Sequence, residues 1–167
     1  FLSLFGVVMI ASVTIPLTNG SLSMTLNHIV KLILAIFIGL LIFRVSLSTW
    51  KKIDISLIIF SFFLLTLVFF PLIGFEANGA SRWIRILGFS FQPSELMKFS
   101  LIIYISSYCF RRMTEFKEKW LGFWKPVLVV ISAIALVLVE PDLGSSAVIF
   151  LISLTIMFIA GAPLKQM

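Results

Sequence analysis

Residues 126–162 read PVLVVISAIALVLVEPDLGSSAVIFLISLTIMFIAGA, and they indicate the fold class more clearly than any other segment. Two apolar runs, at about 126–141 and 145–162, flank a short charged turn. A spanning helix needs about 20 mostly apolar residues, and a helix satisfies its own backbone hydrogen bonds inside lipid. The stretch therefore predicts two membrane helices, joined by a turn in which Pro141 ends the first helix and Gly144 lets the chain reverse.

The rest of the chain repeats this pattern. Of its 167 residues, 60% are hydrophobic and 12% are charged, against about half and about a quarter in a soluble domain. This composition excludes an ordinary soluble globule, and it excludes intrinsic disorder, which needs low hydrophobicity and high charge. We expect an all-α, polytopic transmembrane bundle that forms a single integral membrane domain over 1–167. Its six spanning helices are predicted at about 1–17, 27–45, 55–74, 93–110, 126–141 and 145–162.

Basic residues are concentrated in alternate connections. The net charge is +6, and lysines and arginines cluster at 46–54 and 111–125. Since cytoplasmic loops of membrane proteins carry an excess of Lys and Arg, these connections are predicted to be cytoplasmic. The loops at 18–26, 75–92 and about 141–146 should then face outward. Topology explains the positive charge, so nucleic-acid binding has no further support.

The chain begins at Phe1 inside an apolar run and stops at Met167 soon after the last one. We therefore expect it to be part of a longer protein. Its single cysteine excludes an internal disulfide and a multi-cysteine zinc site, and its single histidine argues against a His-rich metal centre. No Walker loop, dinucleotide fingerprint, G-x-S-x-G or H-E-x-x-H motif is present in the sequence.

Aromatic residues recur among the charged residues of the 111–124 segment. Phe116, Trp120 and Trp124 are spaced four residues apart. This spacing predicts either a short helix that lies in the cytoplasmic membrane interface or a loop whose tryptophans anchor helix ends.

The strongest polar feature lies between the third and fourth predicted helices. Arg82 and Arg85 stand in the outer loop, and Pro93, Glu95 and Lys98 open the next helix. A helix dipole disfavours a cation in the first turn, so Lys98 needs Glu95, another carboxylate or an anionic ligand. Either the Glu95–Lys98 pair only locks helices together, or it lines a polar cavity open to the outside. The two arginines belong to that cavity or extend to the membrane surface.

The turn after the fifth predicted helix is a second polar feature. Glu140 and Asp142 are expected near the outer face, at about the depth of Glu95 and Lys98, where four ionisable groups could converge. Asp142 could instead only cap the following helix, which would leave Glu140 unexplained.

A third polar feature stands at the outer end of the second helix. His28 and Lys31 lie one turn apart there. Interfacial anchoring is the favoured interpretation, because Lys31 can extend to the membrane surface.

Three segments together resemble the SEDS (shape, elongation, division and sporulation) family, which is the FtsW/RodA/SpoVE group. They are 78–84 (NGASRWI), 91–98 (FQPSELMK) and 141–144 (PDLG), in the family's order and spacing, and the resemblance covers essentially the whole chain. Residues 123–126 (FWKP) and 158–162 (FIAGA) look more like the division branch, FtsW, than the elongation branch.

The resemblance implies a bacterial inner-membrane protein of about ten helices, of which this chain would supply roughly the N-terminal half. Family members polymerise peptidoglycan glycan strands from lipid II, the undecaprenyl-pyrophosphate-linked disaccharide peptide, outside the cytoplasmic membrane. They work with a class B penicillin-binding protein and with other divisome or elongasome membrane proteins. The family's essential aspartate follows the sixth helix, so no catalytic residue is assigned within this chain, and the chain alone is expected to be an incomplete enzyme.

The resemblance also implies site roles. The arginines and Lys98 would bind the donor or its departing pyrophosphate, and Glu95 would orient Lys98. Asp142 would shape the cavity or hold a divalent cation, Mg²⁺ or Mn²⁺; no other cofactor and no metal ligand set is expected. The substrate-binding residues so implied are Arg82, Arg85, Gln92, Glu95, Lys98 and Asp142.

Three functions compete at this point: a peptidoglycan glycosyltransferase, a lipid II flippase, and a division scaffold without its own catalysis. A transporter usually carries polar groups near the bilayer midplane. Here they gather toward one face, which favours an outward-facing glycosyltransferase.

Overall fold

The computed structural model describes residues 2–17, 22–70, 74–77, 80–86 and 89–162. The chain divides into two compact units, 1–47 and 48–167. The helices and strands are α1 Leu2–Leu17, α2 Ser23–Phe43, α3 Leu47–Leu67, β1 Gly74–Ala77, β2 Ala80–Ile86, β3 Phe89–Phe91, α4 Pro93–Arg111, α5 Met113–Glu118, α6 Trp120–Val139 and α7 Leu143–Ile159.

The helices confirm the predicted fold class. Two of them, in α2 (Thr25–Phe43) and α6, are long and apolar enough to cross a membrane, and α1 and α7 contain shorter apolar stretches. Most apolar side chains of α2 are exposed, as expected of a surface that contacts lipid. Within the first unit α1 packs on α2, where Thr14 and Thr25 share a hydrogen bond of 3.2 Å between their hydroxyl groups.

The α3 helix differs most from its predicted bounds. It begins at Leu47, before the apolar run expected at 55–74, and it ends at Leu67. The prediction failed because it started the helix where the charges stop. Lys51 and Lys52 are exposed, and a helix that projects from the membrane keeps its hydrogen bonds in water as well as in lipid.

The α6 helix also begins earlier than predicted, at Trp120 and not at Pro126. A proline inside a helix has no N–H for the carbonyl four residues before it, which is the carbonyl of Gly122 here. The Tyr108 hydroxyl on α4 donates to that carbonyl at 2.8 Å. Tyr108 thereby replaces the missing partner, and the helix continues through the proline.

The 111–124 segment contains a short helix, α5, and its seating at the membrane interface stays a prediction. The α5 helix ends at Glu118, and Lys119 is extended, so Trp120 and Trp124 belong to α6. Phe116 is fully buried and lies 5.8 Å from the Phe123 ring, centroid to centroid. It is a core residue, because α5 folds back onto the start of α6.

Gly122 shows how close that contact is. A Cβ atom at this position would lie 2.1 Å from the Glu115 carbonyl oxygen, far inside van der Waals contact. Only glycine allows the two backbones to approach in this way.

A small antiparallel sheet in the order β1-β2-β3 fills the connection between α3 and α4. It was not predicted, because its strands are short and polar residues interrupt them. Ile84 on the central strand pairs with Gly74 on one side and Phe91 on the other, and its side chain is buried. The sheet fixes the backbone on both sides of Arg82.

The core of the second unit lies among α4, α6 and α7, with α3 against α4. At one end, Arg111 on α4 donates to Asp54 on α3 at 2.6 Å and to the Lys51 carbonyl at 3.0 Å. At the other end, β2 meets the α6–α7 turn. Within this unit, the basic connection and the two predicted outer loops therefore lie at opposite ends, as the alternation of charge requires.

Candidate functional site

A polar cavity of about 500 Å³ lies where the sheet, the start of α4 and the α6–α7 turn meet. Its position follows from local sequence, because Pro93 and Pro141 each place a helix boundary at this end. Its lining residues are Arg82, Trp83, Gln92, Lys98, Asp142, Gly144, Ser145 and Val148.

Arg82 crosses from β2 to the α6–α7 turn. Its Nε donates to the Glu140 carbonyl at 3.0 Å, and its Nη2 donates to the Pro141 carbonyl at 2.6 Å. These two bonds use part of the five donors of a guanidinium group. The remaining donors are available to an acceptor in the cavity, so Arg82 does more than extend to a membrane surface.

Asp142 has two tasks at the start of α7. Its Oδ1 accepts from the Ser145 backbone N–H at 3.0 Å, which is the predicted helix cap, and its Oδ2 accepts from the Gln92 amide at 2.9 Å. Burial alone would raise the pKa of Asp142, but the hydrogen bonds from Ser145, with the charges of Arg82 and Lys98, lower it below its ordinary value. Asp142 is therefore a fixed anion that ties α4 to α7 across the cavity.

Lys98 lies on the cavity wall with Glu95 beside it. The Lys98 Nζ donates to Glu95 Oε1 at 2.6 Å, and the two side chains are 18% and 59% exposed. Both residues belong to α4, so their pair does not lock two helices together. The arrangement matches the alternative in which Glu95 orients a cation toward a cavity.

Glu140 lies behind the cavity and is almost fully buried, at 1% exposure. Neither of its carboxyl oxygens has a hydrogen-bond partner. Burial, and next the charge of Asp142, raise the pKa of Glu140 to about 7, although Arg82 opposes this. At neutral pH a large share of Glu140 is therefore uncharged.

The structure thus brings four of the six predicted binding residues together on one cavity wall, and Glu95 lies next to them. The backbone of Arg85 belongs to β2, but its side chain lies outside the described residues. His28 and Lys31 belong to the first unit, and their anchoring role stays a prediction. Sequence reasoning missed Trp83, Ser145 and Val148 as lining residues, although Trp83 lies within the 78–84 segment and Ser145 directly follows 141–144.

The cavity can hold an anion with a polar body. Two cations, Arg82 and Lys98, face a wall that also offers the Gln92 amide and the fixed carboxylate of Asp142. Among the residues that the structure describes, no three His, Cys, Asp or Glu side chains group as a metal site would require. Because Mg²⁺ is usually held by one or two carboxylates together with substrate phosphates, the predicted divalent cation stays a prediction.

These observations describe a polytopic membrane protein with a polar cavity, lined by Arg82 and Lys98, at one end of the helices of its second unit. The model of the FtsW/RodA/SpoVE family, described as cell cycle proteins, matches residues 1–167. The chain belongs to this family, which confirms the resemblance seen in the sequence.

Relatives and solved structures agree with this assignment. The "Probable peptidoglycan glycosyltransferase FtsW" of Aliivibrio salmonicida is 37% identical over 169 residues, which is 99% of this chain and 42% of that protein. The chain thus spans less than half the length of this curated relative.

Two solved structures share the fold, each at 24% identity and over 98% of this chain. One is a chain of the structure described as "Structural coordination of polymerization and crosslinking by a peptidoglycan synthase complex", with a TM-score of 0.77 and 49% of that chain covered. The other is the Thermus thermophilus rod shape determining protein RodA, with a TM-score of 0.76 and 53% covered. At this identity the likeness establishes the fold alone.

Proposed function

We propose that this chain forms part of a peptidoglycan glycosyltransferase that polymerises lipid II, and that its cavity binds the pyrophosphate of the lipid-linked donor. The observation that carries the proposal is the convergence of Arg82 and Lys98 on one cavity in a chain of the FtsW/RodA/SpoVE family. Similarity to an FtsW protein favours a role in cell division.

The chemistry of glycan transfer explains why two cations are needed. When the sugar leaves its lipid carrier, negative charge develops on the pyrophosphate, and preorganised cations lower the energy of that transition state. Arg82 can offer paired donors to phosphate oxygens, and Lys98 can offer a compact point charge. The Gln92 amide, already held by Asp142, is placed to contact the polar head group.

The base that deprotonates the acceptor sugar hydroxyl is not assigned to a residue of this chain. We expect it in the part of the protein that follows, as the family resemblance implies. A divalent cation, Mg²⁺ or Mn²⁺, stays a prediction. Polymerisation that survives dialysis against EDTA would exclude it, and a loss restored by Mg²⁺ or Mn²⁺ would support it.

The cavity end is proposed to face the periplasm or cell exterior, with the Arg111 end in the cytoplasm of a bacterium. Impermeant maleimide tests this in intact cells, in a Cys109→Ser background that removes the buried native thiol. Two exposed positions form a matched pair: Ser90→Cys near the cavity and Lys119→Cys at the opposite end. Labelling of Ser90→Cys alone supports the orientation, and labelling of Lys119→Cys alone overturns it.

A class B penicillin-binding protein and other divisome or elongasome membrane proteins are the proposed partners. The support is the fold shared with a chain of a peptidoglycan synthase complex. Co-purification of the full-length protein with such a partner from detergent extracts would test this.

One assay separates the glycosyltransferase from a lipid II flippase and from a scaffold. The purified full-length protein is incubated with lipid II in detergent, where no bilayer exists to be crossed. Glycan polymer supports the proposal. Movement of lipid II across vesicles without polymer would establish a flippase, and neither activity would leave a scaffold.

A further inference from the structure

Glu140 is a buried acid at the end of α6. It is 1% exposed, yet neither carboxyl oxygen has a hydrogen-bond partner. Buried polar groups in proteins are almost always hydrogen-bonded, so an orphaned carboxyl group asks for an explanation. Helix capping does not supply one, because Asp142 caps α7 and leaves Glu140 unused.

The backbone and the side chain of Glu140 both interact with Arg82, but in different ways. Its carbonyl oxygen accepts from Arg82 Nε at 3.0 Å. The charge of Arg82, on β2, lowers the pKa of the Glu140 carboxyl group, and the charge of Asp142, in the same turn, raises it. The charge of Lys98, on α4, lowers the pKa of Asp142. Within the part of the chain that the structure describes, these are the charged groups identified around this carboxyl group.

We propose that Glu140 is a positioning residue for Arg82: its neutral carboxyl group leaves the guanidinium docked on the turn and open to an anionic ligand, whereas its carboxylate draws the guanidinium away. An uncompensated buried carboxylate is costly, and Arg82 is a cation whose charge already acts on this carboxyl group and whose Nε bonds to the backbone of the same residue. Once the guanidinium pairs with Glu140, its positive charge is largely compensated, and fewer of its N–H donors remain for a ligand in the cavity. Burial of Glu140 and the nearby charge of Asp142 bring the ionisation of Glu140, and with it the movement of Arg82, close to neutral pH.

The anionic ligand in this inference rests on the proposed function, in which it is a lipid-linked pyrophosphate. The probe is therefore undecaprenyl pyrophosphate, and the protein is the full-length chain in detergent micelles, assayed between pH 5.5 and 8.5. The pyrophosphate titrates too, so the readout is the ratio of wild-type to Glu140→Gln affinity at each pH. Glutamine imitates the neutral acid in shape and cannot ionise.

We expect the two proteins to bind equally at pH 5.5. At pH 8.5, Glu140→Gln should bind about five- to tenfold more tightly than wild type, the usual size of coupling between two sites. Glu118→Gln, which removes an exposed acid at the end of α5 and away from the cavity lining, is the matched control and should keep the wild-type pH dependence. A ratio that stays constant with pH would overturn the positioning role.

Binding that is absent at every pH would count against the proposed function and not against this inference. The positioning role is then decided by a double-mutant cycle in thermal unfolding, with Arg82→Gln and Glu140→Gln. The coupling between the two residues should be small at pH 5.5 and grow by pH 8.5, because only the carboxylate attracts the guanidinium. Coupling that does not change with pH would refute it.

Discussion

The ammonium group of Lys98 lies 2.6 Å from Glu95 Oε1, yet the two side chains differ greatly in exposure, at 18% and 59%. The pair is therefore asymmetric: the cation belongs to the cavity wall, and the acid holds it from the solvent side. Because exposed ion pairs contribute little to stability, the value of this pair is in directing the Lys98 charge.

Lys98→Ala should reduce lipid II polymerisation by the full-length protein about 100-fold or more, the usual loss when one preorganised charge-stabilising group is removed. Glu95→Gln should cost less, because the cation remains. Lys31→Ala, on the exposed face of α2, is the control and should retain activity. Polymer yield on gels, normalised to folded protein, is the measurement, and near-normal yield with Lys98→Ala would contradict the site assignment.

The residues of this site could be predicted from the sequence because each carries a local signal. Glu95 and Lys98 stand at helix spacing after a proline, and Asp142 follows a helix-ending Pro141. What the sequence could not show is which neighbour each residue contacts. The pairing of Gln92 with Asp142 joins residues far apart in the chain, and hydrophobic periodicity carries no information about such pairs.

An ion pair between a buried acid and a partly exposed arginine, at the other end of the helices, should be important for stability. Asp54 is 1% exposed and Arg111 is 39% exposed. Arg111→Ala leaves a buried carboxylate without its partner, so it should lower the free energy of unfolding by about 3 kcal/mol, toward the small end for such pairs because Arg111 is partly hydrated. Unfolding in detergent followed by circular dichroism measures this. Adding Asp54→Asn should recover much of the loss, and a double variant no more stable than Arg111→Ala would argue against the pair.

Tyr108 and Pro126 offer a test of how α6 tolerates its proline. Tyr108→Phe leaves the buried Gly122 carbonyl unpaired, and should cost about 1–3 kcal/mol of unfolding free energy. Pro126→Ala restores an N–H to that carbonyl, so the same Tyr108→Phe change should cost less than about 1 kcal/mol in that background. Equal costs in both backgrounds would show that the hydroxyl does not replace the helical donor.

The helix boundaries show what hydrophobic patterns in the sequence could not predict, and the reason is physical. Composition located the apolar runs, but α3 and α6 both extend past them into charged or proline-containing sequence. Lipid selects apolar residues only along the part of a helix that it surrounds, whereas tertiary contacts decide where the helix ends. For α6 the deciding contact is one hydroxyl group on another helix, which periodicity cannot reveal.

Glu140 should give the protein a pH-dependent stability with a sign opposite to that of an ordinary ion pair. Its pKa is about 7 in the folded protein against 4.5 in the reference state. Between these values the unfolded chain loses the Glu140 proton while the folded protein keeps it. The free energy of unfolding is therefore undiminished by Glu140 below pH 4.5, and it falls as the pH rises to about 7. The loss should be roughly 3 kcal/mol. Asp142 acts in a different pH range: its pKa is lowered, so its contribution to stability is lost only as the pH falls below about 4.

Midpoints of thermal unfolding for wild type and Glu140→Gln, measured from pH 4.5 to 8, should therefore diverge with rising pH, with the variant the more stable, and run parallel above pH 7.5. Parallel curves across the whole range would mean that Glu140 ionises normally and that water or another donor reaches its carboxyl group.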